Sequence, residues 1–252
     1  MNELKIEDNG KETVYNVPSC FDEMSRIQFI ETCGHALGKS DTDSHAVSMT
    51  GMEKGLWEEL ELYHRHVIRS MFSFTEAADP EISKQLLPFV EIAGQRLVGY
   101  QPNFSNTTWE EFIFADQYVM DRKFKEAAAV LYRPQRRDYS GETDRRVPFT
   151  VYGTDSRLAL FARMDDAQLL AFAINYRALR KRNLEEKYPS IFSARKEQAE
   201  KEGQTVSFSW IGIHRTLMGD QFYDEAKFFS SNVHVILNRL NTVIRENRQR
   251  KR

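Results

Sequence analysis

Ser25-Arg26-Ile27-Gln28-Phe29-Ile30 and Thr108-Trp109-Glu110-Glu111-Phe112-Ile113 are two copies of one pattern: a hydroxyl residue, Gln or Glu three places on, then Phe-Ile. Each reads as a capping box, in which the hydroxyl accepts from a free backbone N–H of the first turn and the Gln or Glu reaches back to the cap. The Phe-Ile pair then opens an apolar helical face. Two helix starts at fixed positions constrain what the rest of the chain can fold into. One arrangement compatible with the repeat is a pair of related helical halves beginning at Ser25 and Thr108.

Around these starts the pattern predicts a mainly α, multi-helix globular fold with a small N-terminal β-hairpin. Leu4-Lys5-Ile6-Glu7 and Thr13-Val14-Tyr15-Asn16-Val17 alternate apolar and polar about Asp8-Asn9-Gly10-Lys11, a tight-turn sequence, and Pro18 ends the second strand. The first boxed helix is expected to bury Ile27, Phe29, Ile30 and Cys33. Met52, Leu56, Leu60, Tyr63, Val67 and Met71 recur every three or four residues and predict one long amphipathic helix. Pro80 is expected to open a short helix that Pro88 interrupts or restarts. Gly99 to Asn106 reads as the main internal boundary, and 135–147 as a charged, mobile loop. Asp165 is the expected cap of a helix with Leu169, Phe172, Ala173, Tyr176 and Leu179 inside, and Arg177, Arg180, Lys181 and Arg182 largely outside.

Phe222, Ala226, Phe229, Val233, Ile236, Leu240 and Val243 form a heptad seam on one closing helix, widened by Leu237 and Ile244. That stripe fits packing within the chain and also fits a partner interface. The domain expectation is 1–100 for the hairpin and its helices, 101–192 for a second helical unit, and 193–252 for a linker and the closing helix. The last segment can also join 101–192 in one domain.

The 252 residues carry 35 basic and 37 acidic side chains, a net charge of -2, which disfavours a general nucleic-acid binder. The end of the chain differs. Arg245, Arg248, Arg250, Lys251 and Arg252 form a basic tail, a candidate nucleic-acid contact whose ordinary reading is favourable charge at a helix C-terminus. Two cysteines, Cys20 and Cys33, are too few for a thiolate zinc site or a disulfide scaffold. With no secretory leader pattern and no apolar run near the ~20 residues a bilayer demands, the expectation is a soluble intracellular protein without membrane association.

No catalytic constellation stands out. Glu61-Leu62-Tyr63-His64 matches the Glu-x-x-His spacing of di-iron helices, but a second such motif is absent, so no metal site is expected. Asp165-Asp166 fits a helix start. Phosphate-binding glycine loops and nucleophile elbows do not occur, and neither an enzymatic role nor a cofactor is expected.

Several blocks resemble one family. Val17-Pro18-Ser19-Cys20-Phe21-Asp22-Glu23-Met24-Ser25 is similar to the start of small proteins from tail-gene regions of phages infecting Bacteroidetes. Trp109-Glu110-Glu111-Phe112-Ile113-Phe114-Ala115-Asp116, followed by Ala129-Val130-Leu131-Tyr132-Arg133-Pro134, resembles a second block of those proteins. Trp210 with Leu217-Met218-Gly219-Asp220 and the closing helix resembles their end. The resemblance implies a tail-assembly chaperone or minor virion protein that binds without chemistry, acting in the host cytoplasm during assembly or within the virion if structural. Its implied partner is a phage tail or tape-measure protein, held by apolar residues for which Trp109, Phe112, Phe229, Val233, Ile236 and Leu240 are the candidates. A neck, ring or connector subunit that forms a homo-oligomer is the alternative the same resemblance allows.

Overall fold

The structure is a computed structural model that describes residues 1–8, 10–141, 144–192, 210–218 and 225–250. It is mainly α-helical, as the spacing of apolar residues predicts, and divides into two compact units. The first comprises Met1–Leu87 and Asp165–Ala178, the second Pro88–Met164 and Leu179–Arg252. Asn9 and residues 193–204, the charged stretch that reads either as a helix continuation or as a linker, fall outside the described residues.

In the first unit, β1 (Asn2–Asp8) pairs antiparallel with β2 (Lys11–Val17) in the register Leu4↔Tyr15 and Ile6↔Thr13. Helices α1 (Arg26–Ala36), α2 (Thr42–Thr50), α3 (Lys54–Glu59) and α4 (Leu62–Ser70) follow. The Ser25 capping box forms as expected, with Gln28 N donating to Ser25 Oγ at 3.2 Å and Ser25 N donating to Gln28 Oε1 at 2.9 Å. The first residues of helix α8 (Asp166–Arg180) complete this unit. A Cβ placed on Gly34 of α1 would meet Ala167 Cβ at 3.7 Å, an ordinary packing contact, so α1 and α8 lie side by side here with room for a methyl group. Phe29 and Cys33 are buried as expected, whereas Ile27 is 65% exposed and Ile30 half-buried. Both cysteines are free, and burial pushes the Cys33 thiol up to about 12, which leaves it inert.

The long helix expected over Met52–Met71 is instead two. Leu60 turns extended (φ -64°, ψ 140°) between α3 and α4, although nothing at Leu60-Glu61 reads as a breaker. Arg65 supplies the reason. Its guanidinium reaches back from α4 to donate to the carbonyls of Leu60, at 3.0 Å, and Glu58, satisfying acceptors that the end of α3 leaves open. No helix forms between Pro80 and Pro88. This stretch is held by side chains: Asp22 accepts from Ser83 N at 2.8 Å, and buried Asn175 accepts from Leu86 N and donates to the Lys84 carbonyl, each at 3.1 Å.

The second unit opens with a hairpin that the apolar spacing did not predict, β3 (Phe89–Ile92) and β4 (Gln95–Val98). Ala93 and Gly94 both take positive φ (51° and 77°), the geometry of a two-residue hairpin turn, here with alanine where asparagine is usual. Helices α5 (Trp109–Met120), α6 (Phe124–Leu131) and α7 (Val151–Phe161) follow, with α9 (Trp210–Met218), α10 (Glu225–Ser230) and α11 (Val233–Arg250) after α8. The closing helix therefore breaks at Ser231-Asn232, against the single seam that its spacing suggests. The break lets the backbone pair with the start of α5: Trp109 N donates to Ser231 O at 2.8 Å and Val233 N to Thr107 O at 3.0 Å.

The Thr108 capping box also forms, and its Glu111 does more than cap. Glu111 is fully buried and ion-paired to Arg133, with Arg146 at 3.4 Å; both arginine side chains are buried too. Asp144 closes the group, accepting from Arg133 Nη2 at 3.1 Å and Arg146 Nε at 2.8 Å. Two cations thus meet two anions. Arg146 further donates to the carbonyls of Leu131, at 2.9 Å, and Asn106, and Arg133 exchanges backbone bonds with Val98. The loop expected to be mobile is therefore tied down on both sides of its described part: Arg136 N donates to Arg145 O at 2.8 Å, and Arg146 is core. Arg180, expected outside its helix, is likewise buried and paired with Asp116 and Glu185.

Glu111→Gln separates the two duties of this residue, because glutamine caps equally well at Gln28. Breaking a buried pair by removing one charge costs about 3–5 kcal/mol, whereas a lost cap costs about 1. The urea midpoint of Glu111→Gln is expected to show a loss in the first range; a loss within the capping range would contradict the role given to the ion pair.

Candidate functional site

The residues expected to face a partner lie mostly inside the second unit. Trp109, Phe112, Val233, Ile236 and Leu240 are all buried, and Phe229 is half-buried against the ring of His214, at 4.1 Å and nearly parallel. Trp109 packs on Phe112 at 5.7 Å and edge-on to Trp210 at 5.6 Å. Its indole N–H donates to His214 Nδ1 at 3.2 Å, so the His214 proton sits on Nε2, facing Glu225 at 3.3 Å. Trp210 Nε1 donates to Asp116 at 2.6 Å. Trp109, Phe112, Val233, Ile236 and Leu240 thus fill the core of this unit, and Phe229 keeps part of its surface exposed. Of the basic tail, Arg245 and Arg248 are exposed on α11; the Arg250 side chain, Lys251 and Arg252 lie outside the described residues, as do Gly219, Asp220 and Phe222.

Exposed apolar side chains occur in both units, and in the first some of them border a groove. The face of β1 that carries Leu4 and Ile6 meets α4 along a groove of about 250 Å³, lined also by Leu60, His64, Val67 and Ile68. Leu62 is 78% exposed and Tyr63 70%, and both belong to the same helix. Lys5 and Glu7 also line the groove and put one charge of each sign beside it. The apolar alternation of β1 and the periodicity of Leu60 and Val67 were both visible in the sequence. What the sequence lacks is any local signal that strand and helix meet, a contact set by tertiary packing.

On its other side α4 borders a second, polar cavity of about 430 Å³. His66, Arg69 and Ser70 of α4 line it together with His35 of α1, His45 of α2 and Glu76. His35 and His45 stack with centroids 4.5 Å apart and planes 6° from parallel. Thr32 Oγ1 lies 3.1 Å from His45 Nε2, and His35 Nδ1 donates to the Ser40 carbonyl at 2.9 Å. Glu61 and His64 do not converge with further ligands; among the described residues no group of three or more His, Cys, Asp or Glu side chains is placed to hold a metal. Asp165 caps α8 through Ala167 N at 2.8 Å and pairs with Lys39, whose ammonium holds the Asp165 carboxyl below its usual range.

No protein-family model matches the sequence, and no curated protein or solved structure is significantly similar to it. No helix among the described residues is long and apolar enough to cross a membrane.

Burial, reinforced by the neighbouring His35, pulls the His45 imidazole down from 6.5 to about 4. The unfolded chain takes up this proton near pH 6.5 and the folded chain does not, so the contribution is complete above pH 6.5 and is lost as pH falls towards 4. Between pH 6.5 and 5 the loss amounts to about 2 kcal/mol. Urea titrations of wild type and His45→Gln at pH 7.5 and 5 are expected to show that excess loss in the wild type alone. Parallel behaviour of the two proteins would contradict it.

Proposed function

We propose that this protein is a phage assembly factor that holds an apolar segment of a tail or tape-measure protein in the groove between β1 and α4. The observation that carries this reading is the groove itself, a concave surface with Leu4, Ile6, Val67 and Ile68 along it and Leu62 and Tyr63 exposed on the same helix. An apolar groove open to water offers a place where the apolar side chains of another chain can dock. A groove of this kind suits an amphipathic helix whose anchors recur every three or four residues. The sequence blocks that resemble phage tail-region proteins name the class of partner. The activity is binding and release in the host cytoplasm, with no bond made or broken.

The test uses size-exclusion chromatography with light scattering on the full chain mixed with a tape-measure fragment. Wild type is expected to form a complex of defined stoichiometry. Val67→Asp puts a charge on a residue already 41% exposed and is expected to weaken that complex at least about tenfold, the cost of desolvating an unpaired carboxylate. Val235→Asp, on the exposed face of α11, is the matched control and should leave binding unchanged. No complex, or one insensitive to Val67→Asp, would overturn the reading. Self-assembly into a closed ring without a partner would instead favour a structural virion subunit.

A further inference from the structure

The polar cavity beside α4 is independent of the apolar groove and is built differently. Ten of its twelve lining residues are polar, and half of the six histidines in the chain converge there. Polar groups in a cavity open to solvent are satisfied by water or by a ligand that takes the place of that water. At about 430 Å³ it lies within the size range of small-molecule sites.

Its chemistry narrows the ligand. Arg69 is the one lining residue with a permanent positive charge. Asp43 accepts from its Nη2, the Trp57 ring lies 6.0 Å from its guanidinium carbon, and its Nε has no hydrogen-bond partner among the described residues. Ion pairing and stacking fix the plane of the guanidinium while leaving donors in hand, an arrangement suited to a planar or tetrahedral oxyanion. The hydroxyls of Thr32, Ser70 and Thr75 are engaged within the protein, with His45 or with main-chain carbonyls, whereas Ser73 and His66 stand at the wall beside Arg69. Glu76 is the one carboxylate in the lining, set against the Arg69 guanidinium and three imidazoles. We propose that this cavity binds a small molecule carrying a phosphate or carboxylate group, with Arg69 as the residue that holds the oxyanion and Ser73 and His66 as flanking donors.

Imidazole resonances of the full-length protein provide the test. Inorganic phosphate and, separately, acetate are titrated at constant ionic strength, with chloride as the control anion. Saturable shifts at His35, His45 and His66, with His214 and His234 unmoved and a Kd at or below about 10 mM, are expected for at least one oxyanion. Saturation by phosphate alone assigns a phosphate ester, by acetate alone a carboxylate. Arg69→Gln should weaken that binding at least about tenfold, and Asp43→Asn, which frees the guanidinium from its ion pair, should strengthen it. Linear, unsaturated shifts with both anions would overturn the proposal. So would shifts that persist in folded Arg69→Gln, or, should that variant fail to fold, an Asp43→Asn protein that binds no more tightly than wild type.

Discussion

The second unit depends on one buried carboxylate. Glu111 caps α5 through the Thr108 amide at 2.7 Å, and from the same place it neutralises Arg133 while facing Arg146. Burial first, and then the like charge of Arg146, press down on the pKa of the Arg133 guanidinium, with Asp144 opposing them. An arginine inside a protein nonetheless keeps its proton, so the charges must be matched where they stand. Each arginine then spends its remaining donors or its backbone on a different part of the chain. Arg133 bonds β4 at Val98, and Arg146 bonds the end of α6 at Leu131 and the approach to α5 at Asn106. A single four-charge group thereby joins a strand, two helices and a loop.

Several residues of the sequence blocks at 109–116, 129–134 and 210 have architectural jobs. Glu111, Asp116, Arg133 and Trp210 belong to those blocks, and each is buried with its charge or N–H paired. Buried ion pairs of this sort add little net stability over an apolar core but penalise any arrangement that leaves one member unpaired. Such side chains specify one packing, and the surface stays free to carry binding. In the first unit, α4 lies between an apolar groove and a second cavity lined mostly by polar residues.

The parts of the fold that were legible in the sequence are those governed by neighbours in the chain. Both capping boxes, the β1–β2 register and the inner face of α8 follow from spacings of three, four or two residues. The β3–β4 hairpin, closed by Ala93-Gly94, is a local miss, and the others are nonlocal. Arg65 ends α3 by reaching across a bend, the closing helix breaks to pair with residues 107–109, and Arg146 enters the core from a loop whose composition reads as solvated. The same reason moved the candidate site. An apolar stripe such as Val233, Ile236 and Leu240 looks identical whether it faces a partner or the chain's own core, and only the packing of Trp109 and Phe112 against the start of α11 decides between them. Leu4 and Val67 carried the right periodicities, but nothing short-range says that they share a groove.

Native-state hydrogen exchange is the most direct measurement of whether Glu111 and its partners act as one unit. The amides of Val98, Arg133, Trp109 and Val233 are bonded across different elements of the second unit: Val98 and Arg133 to each other, Trp109 to Ser231 and Val233 to Thr107. A polar core that joins them predicts one shared opening free energy for all four, equal to that of global unfolding. Four separate opening energies, with the β4 pair exchanging well before the α5–α11 pair, would contradict it.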